Sequence, residues 1–333
     1  MHARALTRVL AVMLTLAAVA WPQTIFKSAA RLVNVPVAVK DTADRFVRDL
    51  RAEDFSLLDN GRLQRFKFDY VDEPVAVAVV AQTTASVRAW LPHVRRVASA
   101  IETLVVGANG EAAVIRFGAE VALLQDWTNR TESIDSAFGS LESTSDDKRR
   151  CFDAVLLAAN SLAALPPAFR RVILLISQPG DIGSSASLAG VLEAVERNNI
   201  VVYSLVMPRF GKDLASRTIR IGGVDGVFGP KDTGITGSVD LAKLVTEIQR
   251  GSKPGGVQDT PGLLSAETGG SRILFRRLRD LESGISSIAE ELHTEYLLTY
   301  SPDAAEPGYH HIRVELSRAG VAMRWRPGYY VAP

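Results

Sequence analysis

Residues 75–86, which read VAVAVVAQTTAS, decide the fold of this chain. The first seven of these residues are apolar without interruption, which is typical of a strand covered on both faces. Two similar runs follow, VILLI at residues 172–176 and IVVYSLV at residues 200–206, and stretches with helical spacing separate the three runs. This alternation of buried strands and helices predicts an α/β fold with a doubly wound, mostly parallel sheet.

Both ends of the chain have a different pattern, with short alternating strands and turns. Residues 25–72 include the pair Asn60-Gly61, a strong hairpin signal, and β patterning returns in residues 295–333. Neither end has enough strands to bury an apolar face alone. We therefore expect the ends to pair as one small β-sandwich-like domain, into which an α/β domain of residues 73–294 is inserted. Two separate β appendages on the main sheet are the alternative.

Two local features qualify this organisation. Residues 208–258 interrupt the strand–helix alternation with many glycines, and we interpret them as an insertion in the α/β domain. Pro36 lies within the first predicted strand of the N-terminal segment, and because proline cannot donate to a ladder, it predicts that this strand lies at a sheet edge.

The N-terminus has the three-part pattern of a secretory signal peptide. Residues 1–20 contain Arg4 and Arg8, then a short apolar run that ends in Ala-Val-Ala. The run is shorter than the ~20 residues that span a bilayer comfortably. We expect an exported protein, periplasmic or extracellular, with no integral membrane segment after cleavage. A retained N-terminal anchor is the alternative.

Composition excludes several function classes. The chain has 333 residues, with 38 Lys plus Arg against 37 Asp plus Glu, so no strongly basic surface is available for nucleic acid. One cysteine rules out an intrachain disulfide framework. The chain has only 5 histidines, and the pair at 310 and 311 would point to opposite faces of a strand. The chain therefore has few residues suited to acid–base catalysis or metal binding, and we expect a protein that is not an enzyme.

The order and spacing of several blocks resemble the von Willebrand factor A-related domain proteins of the acidobacterial type. The resemblance covers about residues 31–330. It rests on the strand quoted above and on VPVAVKD, LRAEDFSLLDNGRLQRFKF, FDAVLLAANSL, VILLISQPGD, LLSAETGG, IAEELHTEYLLTYSP and RPGYY. It implies the same α/β fold and a metal-ion-dependent adhesion site, built from an Asp-x-Ser-x-Ser loop, a distant Thr and a further Asp.

At the positions of that site, this chain departs from the family pattern. The first Asp corresponds to Gln82, the two Ser positions to Thr84 and Ser86, the Thr to Arg149, and the second Asp to Gln178. Divalent cations prefer carboxylate oxygens, and two carboxylates have become amides. The resemblance therefore implies a degenerate metal site without a cofactor. Weak Mg²⁺ or Mn²⁺ binding stays open as an alternative.

Neighbouring charges leave further alternatives at this site. Asp146, Asp147 or Asp181 could supply a displaced metal ligand. Conversely, Arg149 or Arg150 could replace the metal as a fixed cation that binds an acidic side chain of a protein partner. The plainer interpretation is that residues 148–150 form a solvated charged loop. The candidate partner-binding residues are Gln82, Thr84, Ser86, Arg149, Arg150, Gln178 and Asp181.

Three functions follow, in order of preference. The first is an exported, non-catalytic module for protein–protein interaction or adhesion. The second is a divalent-metal-dependent adhesion domain with a non-standard ligand set. The third is a hydrolase at the same sheet edge, ranked last because no histidine follows the predicted strands there to act as a base.

Overall fold

Three β-sheets and the helices packed on them make up the computed structural model, which describes residues 32–70, 73–208, 259–302 and 306–331. The predicted signal peptide, residues 1–20, lies outside the described residues. So do residues 209–258 of the predicted insertion.

Strands and helices are numbered in chain order. The strands are β1 Val33–Asp41, β2 Phe55–Asp59, β3 Arg62–Gln64, β4 Lys67–Tyr70, β5 Val75–Gln82, β6 Glu111–Phe117, β7 Val121–Thr128, β8 Arg170–Ser177, β9 Val201–Val206, β10 Arg272–Leu274, β11 Tyr296–Tyr300, β12 Gly308–Leu316, β13 Val321–Trp325 and β14 Gly328–Val331. The α-helices are α1 Leu91–Arg96, α2 Ala98–Ala100, α3 Thr131–Gly139, α4 Cys151–Ala163, α5 Leu188–Arg197, α6 Thr260–Thr268 and α7 Leu278–Leu292. Short 3₁₀ turns lie at Ala52–Asp54 and Ala85–Val87, and a π-helical turn lies at Ile101–Val106.

The central sheet has six strands in the order β10-β9-β8-β5-β6-β7, and only β7 runs antiparallel to its neighbour. Every residue of β5 is buried, because helices cover both faces of the sheet. Val77 and Val79 pack with α1, α3 and α7, whereas Ala78 and Val80 pack with α4, α5 and α6. The predicted doubly wound α/β fold is confirmed.

Strands from both chain ends interleave in two further antiparallel sheets. Their orders are β13-β1-β11-β4 and β14-β12-β2-β3. Val35 and Tyr296 from the first sheet and Leu57 and Val314 from the second share one buried core, so the two sheets form a small sandwich. The expected β-sandwich-like unit of both ends is therefore confirmed, and the alternative of two separate appendages is wrong.

The prediction that Pro36 places its strand at an edge is wrong, because β1 lies between β11 and β13. The register explains how proline is tolerated there. Pro36 lies opposite Leu297 of β11, whereas pairing with β13 begins only at Val37. At Pro36 the strand is therefore paired on one side, which is the condition that a proline in a strand requires.

The predicted turn at Asn60-Gly61 connects β2 and β3, and Asp59 pairs directly with Arg62. Asn60 and Gly61 both have positive φ angles, 47° and 79°. A two-residue loop with two left-handed residues has the twist that joins antiparallel strands. This part of the prediction is confirmed.

Polar side chains cap the starts of two helices that flank the sheet, and a glycine ends one of them. Ser187 accepts a hydrogen bond from the Gly190 N–H at the start of α5, and Asp259 accepts one from the Gly262 N–H at the start of α6. Gly269, with φ of 83°, closes α6. Within the described ranges, no helix has both the length and the apolar character needed to cross a bilayer.

Candidate functional site

The carboxyl ends of β5 and β8 bring five of the predicted site residues together. Gln82 is the last residue of β5, Gln178 directly follows β8, and these two strands are neighbours in the sheet. Thr84 and Ser86 lie in the turn after β5, and Arg149 lies just before α4. We call these five residues the crest. An open parallel sheet binds ligands at this kind of edge.

Hydrogen bonds join the crest side chains in a closed ring. Gln82 Nε2 donates to Thr84 Oγ1 at 2.6 Å, and the hydroxyls of Thr84 and Ser86 lie 3.0 Å apart. Ser86 Oγ donates to Gln178 Oε1 at 2.9 Å. The backbone N–H of Gln178 donates to Gln82 Oε1 at 2.7 Å, and this hydrogen bond closes the ring. The polar groups at the crest therefore satisfy one another.

A backbone group determines the orientation of the Gln82 amide. Because the Gln178 N–H can only donate, the Gln82 oxygen must face it. The Gln82 NH₂ group is then directed at Thr84, where an aspartate would direct a second oxygen. One face of the ring thus presents N–H donors where the resembled family has a carboxylate ligand.

Arg149 brings a positive charge to the crest. Its Nη1 lies 3.5 Å from Gln178 Oε1, and only 7% of the residue is exposed. Paired backbone hydrogen bonds with Ile182, of 3.0 and 2.8 Å, hold the main chain at this position. Ile182 itself is 47% exposed, so an apolar side chain lies beside the buried guanidinium at the surface.

This donor set does not fit a divalent cation. Thr84 and Ser86 supply hydroxyl oxygens, but the amide nitrogen of Gln82 faces them and the Arg149 guanidinium lies against Gln178. A dication needs oxygen lone pairs and at least one carboxylate, and a like charge within the same group of side chains opposes it. In the described part of the chain, no cluster of three or more His, Cys, Asp or Glu residues has metal-binding geometry.

The two aspartates of the preceding loop are engaged in local hydrogen bonds. Asp147 Oδ1 accepts from the Ser86 N–H at 2.8 Å, and Asp146 Oδ1 accepts from the Lys148 N–H at 3.0 Å. The Asp146 carbonyl also accepts from the Ala85 N–H at 3.0 Å. These bonds attach the loop before α4 to the turn after β5, and so give both aspartates a structural role.

Two predicted residues lie outside the ring. Arg150 Nε donates to Asp153 at 2.7 Å, and its Nη2 lies 3.5 Å from Ser185 Oγ. Asp181 accepts from the Phe152 N–H at 3.0 Å and from the Ser184 hydroxyl at 2.6 Å. Arg150 and Asp181 therefore hold the start of α4 against the loop after β8, and Arg149 is the arginine that reaches the crest.

Asp153 is a positioning residue that the sequence analysis did not single out. It accepts from the N–H groups of Ala186 at 2.8 Å and Ser185 at 3.0 Å. Burial opposes its charge, but these backbone bonds and the Arg150 guanidinium lower the pKa of Asp153 below its usual value. The quoted block FDAVLLAANSL contains this aspartate and was the available signal.

Within the described residues, cysteine and histidine, which often act in catalysis, take no part in the hydrogen bonds of the crest. Cys151 begins α4 and is buried, and desolvation raises its pKa, so it is not a reactive thiolate. None of the described histidines hydrogen-bonds to a crest residue; His310, for example, is buried beside Asp59 in the sandwich. Trp325 and Tyr329 belong to the sandwich core, as their aromatic character predicts.

Structures that align with the chain share its central architecture only at low similarity. They include an aerotolerance-related membrane protein from Bacteroides fragilis, with 16% identity and a TM-score of 0.42 over 65% of this chain and 99% of that one. BatB from Bacteroides thetaiotaomicron has 16% identity and a TM-score of 0.39 over the same shares of both chains. A von Willebrand factor type A protein from Catenulispora acidiphila has 9% identity and a TM-score of 0.44 over 92% of this chain and 74% of that one.

No protein-family model and no curated protein sequence matches the chain. Because all three TM-scores are below 0.5, the chemistry of the site has to be argued from its own residues.

Proposed function

We propose that this protein is an exported, non-catalytic protein-interaction module that binds an acidic side chain of a partner protein at the crest. The observation that carries the proposal is the guanidinium of Arg149 against Gln178, since both residues are at positions that the resemblance assigns to a metal-binding site. A cation at that position can attract the same kind of ligand, a carboxylate, without a metal.

The surroundings of Arg149 support this role in two ways. A guanidinium with little water around it interacts more strongly with an incoming carboxylate than a solvated one does, because the local dielectric is lower. In addition, the exposed Ile182 adjoins it and offers an apolar contact beside the charge. A charged anchor next to an apolar contact is a common arrangement in protein interfaces.

The crest offers little to a catalytic mechanism. The hydroxyls of Thr84 and Ser86 are the candidate nucleophiles, but their ring partners are neutral amides that cannot take up a proton. Asp147 contacts Ser86 through the backbone N–H and not through the hydroxyl. A hydrolase would need a base within hydrogen-bond reach of its nucleophile, so the geometry favours binding over catalysis.

Site-specific photo-crosslinking tests the proposed interface. A photoreactive amino acid at position 182 of the exported protein should capture a partner in intact cells. The same probe at position 63, an exposed site on β3 in the sandwich, should not capture that partner. Adding Arg149→Met to the position-182 variant should reduce the yield at least tenfold, since a charged hydrogen-bond partner is lost.

Arg88→Met is the matched control, because Arg88 is exposed and donates to Ser143 rather than to a crest residue. Thermal unfolding of each variant must show that the fold is retained. A captured partner whose yield does not change in Arg149→Met would refute the role of Arg149. Calorimetric titration of the wild type with Mg²⁺ and Mn²⁺ tests the metal-dependent alternative, and micromolar binding would favour it.

Export is the remaining part of the proposal and rests on the pattern of residues 1–20. Cell fractionation followed by N-terminal sequencing is the direct test. We expect a mature chain that begins close after Ala20, in the periplasm or the medium. Recovery of an intact N-terminus in the membrane fraction would instead support the retained anchor.

A further inference from the structure

A cavity of about 190 Å³ lies at the opposite end of the central sheet from the crest, where the sheet meets the sandwich. Its lining includes the first residues of β8 and β9, and residues of β1 and β11 from the sandwich. The volume equals that of about six waters in the liquid, and is below the range of sites for drug-sized ligands. A ligand here would be a small molecule.

Arg326 reaches this cavity from the connection between β13 and β14. Only 3% of the residue is exposed. Its Nε donates to the Gly328 carbonyl at 3.1 Å and its Nη1 to the Asn34 carbonyl at 3.3 Å, but Nη2 makes no hydrogen bond within the described residues. A buried guanidinium with an unsatisfied N–H is costly, and in a cavity wall it points to a missing acceptor.

Arg171 is a second arginine in the wall with a free donor. Its two terminal nitrogens donate to the carbonyls of Asn198 at 3.3 Å and Leu165 at 2.9 Å, beyond the ends of α5 and α4. Its Nε is buried and makes no hydrogen bond in the described structure. Two guanidinium groups in one cavity therefore each have an N–H to offer.

The charges in the wall favour an anion. Arg170 also lines the cavity, but its charge is matched by an ion pair with the buried Glu295. Glu73 is the one carboxylate of the lining, and it is exposed to solvent. Against it stand the positive charges of Arg171 and Arg326, although Arg326 also interacts electrostatically with the buried Glu267 outside the lining.

Apolar residues make up most of the remaining lining, which also contains Asn34, Asn198, Asn199 and Thr268. Phe169 and Ile200 come from the α/β domain, and Pro36 and Leu297 come from the sandwich. Leu297 is half-buried and its neighbours Tyr296 and Leu298 belong to the sandwich core, so its side chain faces the opposite way, toward the cavity. These residues can contact the hydrocarbon part of a ligand.

We propose that this cavity is a binding site for a small organic acid, with its carboxylate on Arg326 and Arg171 and its apolar body against Phe169, Ile200 and Leu297. A planar carboxylate matches the planar donor arrangement of a guanidinium better than a tetrahedral anion does. The apolar wall favours an organic acid over an inorganic anion.

Ligand-observed NMR and calorimetry on the full chain test this site, with benzoate as the probe. We expect saturable 1:1 binding with a Kd in about the millimolar range, as is usual for a ligand of this size. Benzamide, which has the same shape without the charge, should bind at least tenfold more weakly. Inorganic phosphate should also bind at least tenfold more weakly, because it makes no apolar contact.

Two variants change different parts of the site. Arg326→Lys keeps the charge but loses the fork of donors, and should weaken benzoate binding about tenfold to a hundredfold. Leu297→Phe fills the cavity without touching a charged group, and should abolish benzoate binding while the fold is retained. Arg318→Lys is the control, because Arg318 is exposed and pairs with Asp49 far from the cavity lining.

The outcomes separate the possibilities. No saturable binding of benzoate up to about 10 mM would overturn the proposal. So would equal binding of benzamide, or benzoate binding that survives Leu297→Phe in a folded protein. Phosphate binding as tight as benzoate would show an anion site without the proposed apolar part, and would also overturn the assignment to an organic acid.

Discussion

Gln82 differs from an aspartate by one methylene and by an amide NH₂ group in place of a carboxylate oxygen, and its nitrogen donates to Thr84 Oγ1. The orientation is not free, since the Gln178 N–H holds the Gln82 oxygen on the other side. The amide therefore presents a hydrogen-bond donor where a carboxylate would present an oxygen lone pair. Gln178 likewise has an amide side chain and not a carboxylate. The crest is therefore a ring of neutral side chains beside one cation, Arg149.

The triple variant Gln82→Asp, Gln178→Asp, Arg149→Thr should bind Mn²⁺ at millimolar concentration or tighter. It restores two carboxylates and removes a like charge. Each unit charge pair at ~4 Å is worth ~4 kcal/mol at an effective dielectric near 20. Electron paramagnetic resonance of free Mn²⁺ measures the binding. Arg149→Thr alone is the control, and equal binding by wild type and triple variant would contradict the explanation.

Glu267 is a second residue whose surroundings oppose its charge. It is fully buried, and Tyr309 donates to its Oε2 at 3.2 Å. Burial and the nearby Glu196 raise the pKa of Glu267 to about 8, from its ordinary value of 4.5. The folded protein therefore binds a proton here that the unfolded chain releases between these two values.

The stability that this proton contributes is present below pH 4.5 and lost as the pH rises through about 8. Wild type should thus lose a few kcal/mol more than Glu267→Gln between about pH 5 and about pH 9, since glutamine stays neutral throughout. Urea unfolding at both pH values measures the difference. Glu282→Gln, at an exposed position on α7, should behave as wild type. Parallel pH profiles for wild type and Glu267→Gln would refute the assignment.

At the scale of elements, one carboxylate connects the strands of the sandwich. Asp59, the last residue of β2, accepts from Tyr300 of β11 at 3.0 Å and from Tyr329 of β14 at 2.8 Å. His310 of β12 lies 3.1 Å from its other oxygen and stacks on Tyr329. Strands from both sheets and from both chain ends thus meet at one buried group.

Asp59→Ala should destabilise the protein by about 3–5 kcal/mol, because two buried tyrosine hydroxyls lose their acceptor at about 1–3 kcal/mol each. Chemical denaturation measures the loss. In the Tyr300→Phe, Tyr329→Phe background, the same substitution should cost clearly less, since no hydroxyl is left unsatisfied. Asp69→Ala on β4 is the control, as Asp69 forms an ion pair with the exposed Lys67. An equal cost in both backgrounds would contradict the argument.

At the scale of the whole molecule, buried ion pairs join the α/β domain to the sandwich. Arg170, the first residue of β8, pairs with Glu295 just before β11 and donates to the Leu292 carbonyl at 2.6 Å. Arg324 of β13 pairs with Glu291 of α7. The end of α7 and the start of β11 are therefore held to both parts of the molecule.

Glu295→Ala should destabilise the protein by about 3–5 kcal/mol, because it leaves the Arg170 charge buried without its partner. Arg170→Met combined with Glu295→Leu should recover most of that loss, since apolar residues of similar volume avoid the desolvation cost. Calorimetric unfolding measures both. Asp49→Ala removes an exposed pair with Arg318 and should cost far less stability than Glu295→Ala, because solvent screens an exposed pair. If the double variant were no more stable than Glu295→Ala, the unpaired charge would not be the cause.

Predictability from sequence varied with burial. β5 and β8 were predictable because helices cover both faces and each strand contains an uninterrupted apolar run, residues 75–81 and residues 172–176. β7 was harder to predict, because register shifts against β6 interrupt the regular pairing of the strand. The short strand β14 was not predicted from the sequence. It is defined by its pairing with β12, and no local sequence pattern indicates that pairing.

The sequence by itself determined the doubly wound sheet, the joining of the two chain ends and the presence of amides at positions 82 and 178. Apolar runs, turn pairs and residue identities are local properties, and local properties can be read along a chain. Only the tertiary structure decided the orientation of the Gln82 amide, the choice of Arg149 over Arg150, and the placement of Arg326 in a cavity. Each of these depends on a backbone group from a distant strand or loop, and no spacing within one segment records where such a group lies.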